Sequence, residues 1–264
     1  MRRRSAIPHQ KEAGSMRETV ALTGMVLTAS PMKEYDRRVE ILTRERGRIS
    51  AFAQGARKVG SALCACTLPF TFGEFMVYEG KSSYNVKSCM IQKFFGDIAG
   101  DYDMTCYASY FAEMAQYFTR ENVEAPEEVL LLYMTLLAMQ NGRVPFRLVR
   151  VIYEMRLMMI EGQGLELFEC LRCHRTDTQT VYFAAGGLVC GECAAKETEL
   201  ARLYPFILGA DALYSLQYIL SSPLERLYSF VVAPEVLDEL EHFMKGYLGR
   251  YLPHHFKALD FIVN

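Results

Sequence analysis

Residues 37–61 read RRVEILTRERGRISAFAQGARKVGS. Two strand-like runs, Arg38–Arg44 and Arg48–Gln54, flank Glu45-Arg46-Gly47, a short glycine-bearing loop of the kind that closes an antiparallel hairpin. Alternation places Val39, Ile41 and Thr43 on one face and Arg38, Glu40, Leu42 and Arg44 on the other. On the return run Ile49, Ala51 and Ala53 share a face, opposite Arg48, Ser50, Phe52 and Gln54. The first face suits a core. The second sets arginines beside an aromatic ring, and Gly55-Ala56-Arg57-Lys58 carries the positive charge past the strand end. Cations next to a stacking surface are what a groove for single-stranded nucleic acid requires. A solvated hairpin face has the same composition.

Around this hairpin the chain from residue 16 to 93 reads as β structure. Further strands are expected at Val20–Thr28, Phe72–Tyr78 and Tyr84–Ile91, punctuated by Pro31, a loop around Gly60 and Gly80-Lys81-Ser82. Five short strands without an intervening helical period suit a small barrel. The five-stranded OB-fold, which binds oligonucleotides across its face, is the expected architecture, and an SH3-like barrel has comparable spacing.

Charge supports a front-loaded site. The chain of 264 residues has a net charge of −2, but residues 16–93 carry +5, residues 1–15 carry +3 and the remainder −10. A basic front and an acidic rear point to a polyanion site near the N-terminus. With 51% hydrophobic residues, a core is available and global disorder is excluded. Arg2-Arg3-Arg4 is followed by polar Pro8–Ser15, not by the apolar stretch of a signal peptide. Residues 1–15 are expected to be a disordered extension, with the functional start at Met16. The apolar run Val129–Met139 falls short of the roughly 20 residues of a spanning helix. Eight cysteines and no secretion signal suggest reduced thiols in the cytoplasm.

Beyond Asp97 the period changes. Met104, Tyr107, Phe111, Met114 and Phe118 recur at helical spacing within 101–120. Further helices are expected at Pro126–Asn141, Pro145–Gly162, Pro205–Ser221 and Pro234–Gly249, each opening on proline. Their methionine and aromatic stripes read as core packing. Arg143, Arg147 and Arg150 fall on one stripe of the third helix, either a solvated face or a docking site for an acidic peptide.

The most specific motif is Cys170-Leu-Arg-Cys173 followed, after sixteen residues, by Cys190-Gly-Glu-Cys193. Two Cys-x-x-Cys turns bring four thiolates to one tetrahedral ion, as in zinc ribbons. Val181–Ala184 is the expected ribbon strand. Four thiolates leave no position for water, so the expected zinc is structural. Adjacency to Cys173 makes His174 an awkward ligand. Cys64, Cys66, Cys89 and Cys106 lack ligand spacing and read as small buried hydrophobes. Walker, Gly-x-Ser-x-Gly, His-Glu-x-x-His, dinucleotide and zinc-deaminase patterns are all missing, so no enzyme mechanism suggests itself.

Together these residues resemble a family, the bacterial recombination mediator RecO. The resemblance is carried by residues 43–58, by Leu68–Phe75, by Tyr107–Glu113, by Cys170–Cys193 and by Phe256–Phe261, in that order from Met16 onward. It implies an α+β chain: an N-terminal five-stranded OB-fold barrel (residues 16–95), then an α-helical domain (96–264) carrying an inserted four-cysteine zinc finger at about 168–196. It implies binding of single- and double-stranded DNA, annealing of complementary strands, and work with RecR to load the RecA recombinase onto strands coated by single-stranded DNA-binding protein. This is DNA-damage repair along the RecF pathway, in the cytoplasm at the nucleoid and away from membranes. The family's helical domain takes the acidic tail of single-stranded DNA-binding protein, which would give Arg143, Arg147 and Arg150 a role. The expected DNA contacts are Arg37, Arg38, Arg44, Arg46, Arg48, Arg57 and Lys58, with Phe52 either a stacking platform or part of the barrel core. A zinc-containing OB-fold adaptor for a protein partner, an RNA-binding OB protein and an enzyme with a catalytic metal are the competing readings.

Overall fold

The computed structural model describes residues 19–80 and 83–262; the extension 1–15 lies outside them. Five strands come first: β1 (Thr19–Met32), β2 (Asp36–Thr43), β3 (Gly47–Ala53), β4 (Thr71–Glu79) and β5 (Tyr84–Phe94). β1 is long enough to pair with β2 through its second half and with β4 through its first. β5 lies antiparallel to β4 and meets β3 in parallel at Ala51–Tyr84 and Phe52–Asn85. The five strands thereby close into a barrel in the order β1-β2-β3-β5-β4, the expected OB-type architecture. A single turn of helix, α1 (Leu63–Cys66), bridges β3 to β4.

Period-two alternation fills this barrel as the sequence predicts. Leu22, Val26, Val39, Ile41, Ile49, Ala51, Ala53, Phe75, Val77 and Val86 form its core. Leu42 departs from the pattern. Its alternation places it outside with Arg38 and Arg44, yet it is fully buried, in the core of the helical domain with Met25, Leu27 and Phe72. The outer face of the hairpin end is covered by protein.

The helical part comprises α2 (Tyr102–Phe118), α3 (Pro126–Asn141), α4 (Phe146–Ile160), α6 (Ala210–Ser221) and α7 (Pro234–Tyr251), with a single turn, α5 (Gly191–Ala194), in the cysteine-bearing segment. The ends follow local rules. Asp101 caps α2 by accepting the Met104 N–H. Proline, Glu127 and Glu128 open α3, and Gly142 closes it in the left-handed region. The helix expected from Pro205 instead begins at Ala210. Residues 206–207 form a strand, β8, against β6 (Thr180–Tyr182), which also pairs with β7 (Gly187–Leu188). The ribbon strand expected to reach Ala184 stops at Tyr182, where a 3-10 turn begins. Backbone pairing across the small sheet overrides the helical period there.

The β2–β3 turn joins the two halves. Thr43 Oγ1 donates to the Gly47 carbonyl at 2.8 Å and accepts the Arg46 N–H at 3.2 Å. The turn then enters the α2–α3 connection: Asn122 N–H donates to Arg46 O and Ala125 N–H to Arg44 O, both at 2.9 Å, and Gly47 bridges Glu121. Gly47 has φ +60°, and a Cβ there would run into the carbonyl oxygens of Arg120 and Val123. Gly47→Ala should therefore destabilise the chain by about 2 kcal/mol or more. In thermal melts this reads as a loss of roughly 4–8 °C; an unchanged midpoint would contradict this seating.

Near the same seam, Glu161 follows α4 and faces Glu128 from the first turn of α3. Burial first, then the Glu128 carboxylate, raise the Glu161 pKa from its usual 4.5 to about 6. Between those values the native state holds more protons than the unfolded chain, so this group's contribution falls as pH rises through the window. Glu161→Gln should stabilise the chain above pH 6 by less than about 1 kcal/mol, discounted for solvent screening. The gain should vanish below pH 4.5, as melts across that range would show.

Candidate nucleic-acid interface and metal centre

The hairpin's cations fall into two groups, those bonded into the fold and those left exposed. Arg37 is half-buried and braces α1, donating Nη1 to Cys64 O at 3.0 Å and to Thr67 Oγ1 at 2.7 Å. Arg46 Nη1 donates to Asn122 Oδ1 at 3.2 Å, and Arg48 reaches Thr119 O and Glu40, both at 3.4 Å. These three hold the fold. Arg38, Arg44, Arg57 and Lys58 are exposed. Arg38 keeps only a surface bond to Ser50 at 3.0 Å and a loose pairing with Glu40. Phe52, set opposite Arg38 in the β2–β3 register, is half-buried on the outer face and lies outside the barrel core.

Sequence spacing did not reveal a second contribution to this face. The β1–β2 turn, Lys33-Glu34-Tyr35, folds against the loop after β3. Arg57 N–H donates to Tyr35 O at 2.9 Å, and Gly55 N–H to Asp36 Oδ1 at 2.8 Å. The available signal was an aromatic in a charged turn, which hairpin periodicity does not weigh.

The arginine stripe on α4 is not a freely solvated face. Arg147 pairs with Glu241 and, at 2.6 Å, with Asp238. Arg150 pairs with Glu241 at 3.2 Å and approaches Glu154 at 3.6 Å. Glu154 is buried, accepts the Tyr110 hydroxyl at 2.6 Å, and has its pKa raised by burial against the opposing pull of Arg150. Arg143, expected on the same helical stripe, precedes α4, which begins only at Phe146, and is exposed. Beside the network lies a cavity of about 390 Å³ whose lining includes Arg150, Lys245, Met244, Leu248 and Phe256.

The four motif cysteines converge. Their sulfurs all lie within 4.8 Å of one another, with Cys173 and Cys190 Sγ 3.7 Å apart. Thiolates bound at about 2.3 Å to one tetrahedral ion would lie about 3.8 Å apart, so the set fits a metal. Burial acts to raise the Cys170 thiol, but backbone N–H groups at Cys173, Cys190 and Arg172 outweigh it and bring the pKa to about 6. Contact with Cys190 pushes Cys193 up to about 12. Gly187 is required where β7 passes Glu166, whose carbonyl oxygen a Cβ would strike. His174 pairs with Glu169 instead and is not in the cluster. Of the other cysteines, Cys66 and Cys106 are buried as expected, Cys89 is half-buried and Cys64 is exposed.

Residues 16–95 match the family model described as Recombination protein O N terminal, and residues 99–260 match Recombination protein O C terminal. The chain belongs to the RecO family. A DNA repair protein RecO from Acetivibrio thermocellus is 31% identical over 244 residues, covering 91% of this chain and 94% of that one. One from Clostridium acetobutylicum is 25% identical over 241 residues, 90% and 95% of the two chains. Another, from Alkaliphilus metalliredigens, is 30% identical over 172 residues, 64% and 70%. RecO membership places the chain in DNA repair and recombination. Among the described residues no helix is long and apolar enough to cross a membrane.

The cysteine cluster should bind one metal ion per chain. Replacing Cys173 and Cys190 with serine should release it, measured by elemental analysis, and should abolish amide protection around Val181–Leu188 while β1–β5 stay protected. Retention of a full equivalent of metal would count against the cluster as ligand set.

Proposed function

We propose that this RecO-family chain is a non-catalytic recombination mediator that binds single- and double-stranded DNA through its barrel and anneals complementary strands. Working with RecR, it would help load recombinase onto strands coated by single-stranded DNA-binding protein, at the nucleoid in the cytoplasm. The observation that carries the reading is the exposure of Arg38, Arg44, Arg57 and Lys58 on the barrel surface of a family member. Exposed cations neutralise phosphates and release counterions, and reducing charge on two strands at once lets them approach and pair. The half-buried members of the basic set, Arg37, Arg46 and Arg48, enter this reading as the frame that orients the exposed ones.

The metal is proposed to be zinc, in a structural role. An all-thiolate tetrahedral set suits zinc and leaves no coordination position for a substrate. For the acidic tail of single-stranded DNA-binding protein, support comes from the cavity where Arg150 and Lys245 meet Met244, Leu248 and Phe256. Cations beside apolar walls suit a peptide that is both acidic and apolar. Because Arg147 and Arg150 are already paired with Asp238 and Glu241, a tail would have to displace or share those carboxylates.

Annealing of complementary oligonucleotides, bare or coated, across a salt series tests the function. The wild-type chain should accelerate annealing on both, less as salt rises. Arg44→Ala with Arg57→Ala should lower the slope of log K against log salt by about 0.7 per lost single-strand contact. No acceleration on either substrate would favour a protein-binding adaptor, and stronger binding to matched RNA would favour an RNA-binding role.

A further inference from the structure

The corner formed by the β1–β2 turn and the loop after β3 holds an aromatic ring with no assigned task. Tyr35 remains 45% exposed, in a turn whose backbone is tied on several sides. Arg57 N–H donates to its carbonyl at 2.9 Å, and Arg57 Nη1 donates to Glu34 O at 3.4 Å. Ala56, between Gly55 and Arg57, is fully buried in the barrel core and anchors the loop. Gly55 adopts φ +67°, and Lys58 N–H closes the turn onto Gly55 O at 3.0 Å. Lys58 Nζ lies over the Tyr35 ring, 5.6 Å from its centroid. The neighbouring Glu34 side chain, and to a lesser degree burial, raise the pKa of the Tyr35 hydroxyl above its ordinary value.

An exposed aromatic usually costs little and does little. This one is positioned by both loops, with exposed Lys58 over one face of the ring and exposed Arg57 bonded to its backbone, the pairing of cation and aromatic that a single strand needs. Phe52, by comparison, is half-buried between its strand neighbours. We propose that Tyr35 is a stacking platform for an unpaired nucleobase, with Arg57 and Lys58 taking the flanking phosphates. This rests on the DNA-binding reading above and adds to it a preference for single strands. Every base offers a π-face, so the platform is indifferent to sequence. In a duplex the bases are already stacked, and only the phosphate contacts remain.

The test compares Tyr35→Ala and Tyr35→Phe with wild type on one oligonucleotide, single-stranded and as its duplex. Tyr35→Ala should weaken single-strand binding roughly 10- to 100-fold, with duplex affinity within about twofold and an unchanged salt slope. Tyr35→Phe, which keeps the ring, should stay close to wild type on both. A strand carrying 5-iodouracil should photo-crosslink to Tyr35, located by mass spectrometry. Equal losses on both substrates, no loss on either, or crosslinking only elsewhere would overturn the assignment. A wild-type chain that binds neither substrate would overturn the DNA-binding reading itself, which separates the two failures.

Discussion

The structure depends on one close approach: the β2–β3 turn seated in the connection between α2 and α3. Backbone hydrogen bonds from Asn122 and Ala125 to the turn carbonyls hold it, and only a residue without a Cβ fits at Gly47. Leu42 then completes the seating by entering the helical core with Met25 and Leu27. The turn and the connection thereby satisfy each other's backbone hydrogen-bonding groups. The barrel and helices are therefore one mechanical unit at this point.

That seating sorts the basic residues. A hairpin with cations on its outer face can present all of them to a polyanion only if nothing else covers the face. Here the end bearing Arg46 and Arg48 is covered, so these arginines donate to Asn122 and Thr119. Arg38, Arg57 and Lys58, toward the opposite end, stay open, and Arg44 stays exposed beside the seam. The same logic operates on α4, where Arg147 and Arg150 meet carboxylates of α7. A partly buried arginine needs a countercharge, and α7 supplies it within the chain.

The cysteine segment solves a different problem. Its sheet has two- and three-residue strands and a small apolar cluster around Cys170, Tyr182 and Val189. With so little buried surface, the four converging thiols, placed to hold one metal ion, are the segment's natural means of cross-linking.

The sequence by itself determined the elements with a strong local signature. The barrel strands were legible because alternation must match the pleat, the helix 102–118 because of its apolar period, and the helices 126–141, 146–160 and 234–251 because apolar period and proline starts agree. The Cys-x-x-Cys pair was legible because ligand spacing is local geometry. What only the tertiary structure decided was which side of an element would be covered, and by what. Leu42 and the arginines at 46, 48, 147 and 150 carry no local mark of their partners, which come from residues up to 94 positions away. The start of α6 shifted because pairing with β6 is likewise non-local. Tyr35 joined the basic loop for the same reason. Local periodicity fixes the direction of a side chain, whereas its task depends on the surface that long-range packing sets against it.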